Sequence, residues 1–212
     1  MSFPTRPSHR LYAILDIDLT FSRGLAPLEV ADAWLDAGVR LFQLRAKSMT
    51  GGPMLELADT LAAKAGKAGA TFIVNDRADV AAMANADGVH VGQDDLPPAA
   101  TRAIVGDRLY VGVSTHSLEQ LRAAMAAPVD YVAIGPVFPT GSKANLDPVI
   151  GLEMVRQAAI ISGALPLVGI GGVTLDRAPS VIAAGASSVA VISDLLSEDP
   201  RRRAADFLSA LR

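Results

Sequence analysis

Repetition constrains this chain more than any other property. Eight short, nearly unbroken apolar runs recur along it, at residues 10–15, 39–44, 71–74, 88–91, 109–113, 131–134, 167–170 and 188–192. A run without polar alternation reads as a strand covered on both faces, the pattern of a parallel sheet with helices packed outside it. Helix-period segments lie between the runs. Leu55, Ala58, Leu61, Ala62 and Ala65 repeat at that spacing, and so do Ala204, Leu208 and Leu211. The joints carry glycine: Ala37-Gly38-Val39, Ala68-Gly69-Ala70, Asp87-Gly88-Val89 and Ala184-Gly185-Ala186. The residue just past a helix end commonly takes a positive φ, which glycine adopts without steric penalty.

One supersecondary unit used eight times implies right-handed crossovers between parallel strands. Eight units in 212 residues predict the α/β class and a single (β/α)8 TIM barrel, a fold whose lower size limit is about 200 residues. The rival is an open doubly wound sheet, and no glycine-rich dinucleotide turn supports it. Residues 1–212 read as one domain, with residues 1–9 a polar N-terminal extension.

Composition removes several function classes. There is no cysteine, so disulfides, thiolate metal sites and cysteine nucleophiles are excluded, and a reducing compartment fits. The 19 basic and 22 acidic residues leave a net charge of −3, which gives no drive toward nucleic acid or an anionic membrane. No N-terminal apolar core resembles a signal peptide, and no run approaches the ~20 residues that cross a bilayer. The expectation is a soluble cytoplasmic protein with neither a nucleic-acid nor a membrane partner; a homo-oligomer is left open.

In a barrel of this kind, functional residues sit at the C-terminal strand ends and in the loops that follow. The polar clusters fall there: Gln43-Leu44-Arg45-Ala46-Lys47, Asn75-Asp76-Arg77, Gly92-Gln93-Asp94-Asp95, Ser114-Thr115-His116-Ser117, the stretch from Gly135 to Lys143, Gly171-Gly172 and Ser193. Strand alternation puts Gln43, Arg45 and Lys47 on one side. A guanidinium beside an ammonium suits an anion, Arg binding phosphate oxygens two at a time; the plainer reading is a solvated strand end with a surface ion pair. Asp76 and Asp95, with Asp94 near them, offer hard oxygen ligands to Mg2+, which takes one or two carboxylates plus substrate phosphate oxygens. Asp94, just before Leu96-Pro97-Pro98, reads equally as a helix N-cap. Gly171-Gly172 after strand seven and Ser193 after strand eight occupy the usual phosphate position of such barrels, although a tight turn needs the same glycines.

His90, between Val89 and Val91, reads as a packed histidine rather than a base, and capping competes with catalysis at His116. Arg201-Arg202-Arg203 reads as a solvated helix start and Trp34 as packed on the outer layer. No HExxH, Walker or Gly-x-Ser-x-Gly motif is present.

Taken in order, these motifs resemble the thiamine phosphate synthase family. The resemblance is carried by residues 43–47, 74–77, 86–97, 112–117, 135–143, 169–174 and 190–193, and spans roughly residues 11–193. It implies a transferase that joins a pyrimidine methyl diphosphate to a thiazole phosphate, releasing pyrophosphate and forming thiamine phosphate. By the same resemblance Gln43, Arg45, Lys47, Asn75, Ser114 and Lys143 would hold the pyrimidine diphosphate, with Lys143 and Ser114 in catalytic roles. Asp76 and Asp95 would bind Mg2+, and Thr140, Gly141, Ser142, Gly172, Ile192 and Ser193 would hold the thiazole phosphate. Two anionic substrates need two phosphate sites, and the rim offers one of side-chain cations and one of backbone. The family's usual Thr-x-Thr before the lysine is here Thr140-Gly141-Ser142, which keeps both hydroxyls. Lys143, in a glycine-containing loop, would close as a lid. Two rival readings are a thiazole tautomerase-like relative, which would lack Asp76, Asp95 and Lys143, and a non-catalytic barrel that binds a phosphorylated ligand.

Overall fold

The computed structural model describes residues 3–140 and 148–212. Eight parallel strands close into a barrel in chain order, the last pairing with the first: β1 (Leu11–Asp16), β2 (Leu41–Arg45), β3 (Thr71–Asn75), β4 (Gly88–Val91), β5 (Tyr110–Thr115), β6 (Tyr131–Ile134), β7 (Leu167–Ile170) and β8 (Ser188–Val191). The helices outside are α1 (Ile17–Ser22), α2 (Pro27–Ala37), α3 (Gly51–Ala68), α4 (Ala78–Met83), α5 (Pro98–Val105), α6 (Leu118–Met125), α7 (Gly151–Ser162), α8 (Ala178–Ala183) and α9 (Pro200–Ala210). The (β/α)8 expectation holds, and the strand bounds shift by two residues at most. No helix among the described residues is long and apolar enough to cross a membrane.

Alternation sorts each strand into two faces. Outward side chains join the helices in the larger core, where Met54, Ala58, Leu61 and Ala65 dock α3 and Trp34 is fully buried. Inward side chains form a smaller cluster of Tyr12, Ile14, Leu41, Ile73, Tyr131, Ala133, Val168 and Ala190. Phe3 enters this interior beside them, stacked on Tyr131 with centroids 3.9 Å apart, so the first nine residues include a buried plug.

Three joints end as expected, with Gly38, Gly69 and Gly185 at φ +106°, +63° and +106°. The fourth does not. After α4 the positive φ belongs to Asn85, at +50°, while Gly88 opens β4. A Cβ on Gly88 would lie 2.7 Å from the Tyr110 carbonyl oxygen, so close strand approach selects this glycine. In the arginine run, Arg201 and Arg202 are exposed in the first turn of α9 as expected, and only Arg203 departs from a solvated helix start. Arg203 pairs with Asp194 at 2.5 Å, tying α9 to the segment after β8.

Candidate active site at the barrel mouth

Inward columns on β1, β2 and β3 pass through Tyr12, Leu41 and Ile73 and end polar, at Asp16, Arg45 and Asn75. On β2, Leu41 is followed inside by Gln43 and then Arg45. Gln43 and Arg45 border one narrow cavity down the barrel axis, together with Tyr12, Asn75, His90, Ser114 and Ile192. Arg45 also borders a wide recess with Asp16, Arg23 and Ser193. Asn75 also borders a third hollow, of about 230 Å3, with Lys47, Asp76 and Arg77. Three adjoining spaces thus share one rim.

Neither rim cation next to β2 stands alone. The Arg45 guanidinium donates to the Asp16 carboxylate, its register neighbour on β1, and both are largely buried. Asp16 also accepts from Leu19 N–H at 3.0 Å and caps α1. Lys47 lies beyond the strand end and reaches Asp76 at 3.0 Å. The sequence stripe is therefore real for Gln43 and Arg45, whereas Lys47 belongs to the loop. Asp16 was not singled out in the sequence; its signal is its place at the end of β1, beside Arg45.

Asp76 holds a left-handed backbone, φ +64°, with its N–H donating to the His90 carbonyl at 2.8 Å. Such a conformation is uncommon for a residue other than glycine and marks a constrained position. Its carboxyl hydrogen-bonds to that of Asp95. Burial and the neighbouring carboxyl push the Asp76 pKa up. Asp95 is held below its ordinary value: burial opposes its ionisation, but hydrogen bonds from Asp76 and from Gly92 N–H, at 2.8 Å, prevail. Two carboxyls this close repel when both are ionised, and a proton or a cation between them relieves that repulsion. Among the described residues no group of three or more His, Cys, Asp or Glu converges, so the donor set is two carboxylates. That fits Mg2+, whose remaining ligands are typically water and phosphate oxygens. Asp94 is exposed and does not cap α5, whose N-cap is Pro97.

Ser114 is buried at the end of β5, and its Oγ lies 2.9 Å from His90 Nε2. His90 is indeed packed, yet it also lines the cavity. His116 directs Nδ1 at the Gly135 carbonyl, 2.7 Å away, and its backbone N–H donates to Gln120 Oε1; Ser117 caps α6.

Gly171 and Gly172 turn the chain after β7 at φ +99° and +61°. A Cβ on Gly171 would sit 2.5 Å from Pro136 Cα, and Phe138 N–H donates to the Gly171 carbonyl. The glycine pair therefore seats the segment that leads to Thr140. Ile192 faces the axial cavity, and Ser193 opens a single 3-10 turn whose carbonyl accepts from Arg23 Nη1 at 2.7 Å. Gly141, Ser142 and Lys143 lie outside the described residues.

The chain is similar to known proteins of one family. The family model described as Thiamine monophosphate synthase matches residues 11–195. The chain is 48% identical over 204 residues to a thiamine-phosphate synthase of Koribacter versatilis, covering 95% of each chain. It is 44% identical to one from Acidothermus cellulolyticus, with 85% of each covered. A solved thiamine phosphate pyrophosphorylase from Pyrococcus furiosus superposes with a TM-score of 0.88 at 33% identity, covering 98% of both chains.

Proposed function

The chain belongs to the thiamine monophosphate synthase family and is a transferase, and on that premise we propose that it condenses a hydroxymethylpyrimidine diphosphate with a hydroxyethylthiazole phosphate in a reaction that needs Mg2+. One observation carries this reading. Arg45, Lys47, Asn75, Asp76 and Ser114 border adjoining hollows at one end of the barrel, with Asp95 bonded to Asp76.

The pyrimidine enters the axial cavity between Gln43 and Ser114. Its diphosphate lies outward, over Asn75 toward Arg45 and Lys47, where two cations meet its oxygens. Asp76 and Asp95 would hold Mg2+, which would supply positive charge to neutralise that developing on the departing pyrophosphate. The carbon–oxygen bond breaks with its electron pair leaving on pyrophosphate, and the thiazole nitrogen lone pair forms the new carbon–nitrogen bond. Arg45 and Lys47 stabilise charge on the leaving oxygens through fixed positive groups. The apolar walls of Ile14, Ala133, Val168 and Ile170 keep water from the electron-poor carbon. No strong base is required, in keeping with a histidine pair already engaged by neighbours. The thiazole phosphate lies toward Gly172, Ile192 and Ser193; the family resemblance assigns Thr140, Gly141 and Ser142 to that phosphate and Lys143 to the diphosphate.

Calorimetric titration with the pyrimidine diphosphate tests the reading. Binding should require Mg2+ and should be lost in Asp95→Ala. Weak binding that ignores the metal would favour the tautomerase-like or the non-catalytic alternative.

A further inference from the structure

A buried string of hydrogen bonds crosses the barrel beneath the axial cavity. Gln43 Nε2 donates to Tyr12 Oη at 2.7 Å. Tyr12 Oη lies 3.0 Å from Tyr131 Oη, and Tyr131 Oη lies 2.9 Å from His90 Nδ1. His90 Nε2 then lies 2.9 Å from Ser114 Oγ. We propose that Tyr12, Tyr131 and His90 are positioning residues that fix the polarity of the cavity walls, so that Gln43 presents a hydrogen-bond acceptor and Ser114 a donor to the pyrimidine ring. The proposal rests on the reading of this cavity as the pyrimidine site.

The proposed polarity runs from Gln43 to Ser114. Gln43 reaches Tyr12 with its amide nitrogen, which leaves Oε1 as the atom it offers a ligand. Tyr12 accepts that proton; either phenol can donate across the contact with Tyr131, and in the proposed polarity Tyr12 is the donor. Tyr131 in turn directs its hydrogen to His90 Nδ1. A neutral imidazole that accepts at Nδ1 carries its proton on Nε2. Ser114 Oγ therefore accepts from His90, and its own O–H is left to point into the cavity. Burial raises both phenols, which keeps them protonated as the string requires. An acceptor on one wall and a donor on the other match a heterocycle edge that carries an amino group beside a ring nitrogen.

The packing holds the string in place. Gly112 pairs in register with His90 on one side and Tyr131 on the other. A Cβ there would overlap the Tyr131 ring, so the missing side chain is what lets the phenol pass between strands to His90. Phe3 stacks on that ring. Apolar residues would fill this interior more simply, since a buried polar group left unpaired is destabilising.

Tyr131→Phe removes one hydroxyl and keeps the ring. With wild type active, the variant should raise KM for the pyrimidine diphosphate about tenfold, the size of one buried hydrogen bond. KM for the thiazole phosphate and Mg2+-dependent binding of inorganic pyrophosphate should stay within about twofold of wild type, whereas a merely structural loss would move all three together. Nitrogen-15 shifts of the His90 imidazole in the ligand-free wild-type protein should show the proton on Nε2, whatever the folding of any variant. A proton on Nδ1, or an unchanged pyrimidine KM in both Tyr131→Phe and Tyr12→Phe, would overturn the proposal. A wild-type protein that binds no pyrimidine diphosphate overturns the parent reading instead, and the recognition role with it.

Discussion

Asp76 and Asp95 join their carboxyl groups across the ends of β3 and the β4 loop, with Asp76 pushed up and Asp95 held down in pKa. Asp76 is thus the member that gives up its proton at the higher pH. A divalent ion placed there competes with that proton, and the competition begins above the ordinary carboxylate range because the Asp76 pKa is raised. Mg2+ affinity should be constant at high pH and weaken as pH falls through the raised value, with one proton released per ion bound on the acid side. Calorimetry across a pH series reads this; an affinity that ignores pH would contradict it.

Asp16 does two jobs, and they separate by substitution. It caps α1 through Leu19 N–H and counters the charge of Arg45. Asp16→Asn keeps an oxygen for the cap and removes the charge, whereas Asp16→Ala removes both. The alanine variant should be the less stable by about 1 kcal/mol, the usual worth of a cap. Both should bind inorganic pyrophosphate more tightly than wild type, since Arg45 loses its internal counter-charge. Chemical denaturation and pyrophosphate titration check the pair, and weaker pyrophosphate binding would mean that Asp16 chiefly aims Arg45.

Gly112→Ala forces a methyl group into the Tyr131 ring. Overpacking of this kind typically costs about 1–3 kcal/mol, and a strand on each side limits relaxation here. Combining it with Tyr131→Ala should be far less harmful than the two single losses added together, because the second change removes the atoms that collide. Additive losses in denaturant melts would mean that the two residues do not share one space.

Lys143→Ala should lower kcat by ~100-fold, the scale of a lost charge-stabilising donor, with little change in Tm. Comparable damage to both would make it a structural lysine.

The strands and the barrel were legible because outer and inner burial leaves long apolar runs, and the rim was legible because polar clusters gather at the C-terminal ends of those runs. Asp76, Asp95, Arg45 and Asn75 stood out for that reason. Tyr12 and Tyr131 did not, and His90 read only as a packed residue: each sits inside an apolar run, and their partnership depends on residues 119 and 41 positions apart meeting in the interior. Asp16 was hidden by the same cause, since its ion pair follows from the β1–β2 register. Gly88 looked like a helix terminator because glycine serves both positive φ and close approach, and Asp94 looked like a cap because acids before Pro often are. Phe3 is a single aromatic residue in a polar segment, and nothing local in the sequence says that the barrel interior has room for it.

The central claim is tested most directly by incubating the purified chain with pyrimidine diphosphate, thiazole phosphate and Mg2+, and following the products by mass. Thiamine phosphate and pyrophosphate should appear in equal amounts, stop when either substrate or the metal is withdrawn, and vanish in Asp95→Ala. Absence of thiamine phosphate from the complete mixture, or its undiminished formation by Asp95→Ala, would contradict the account.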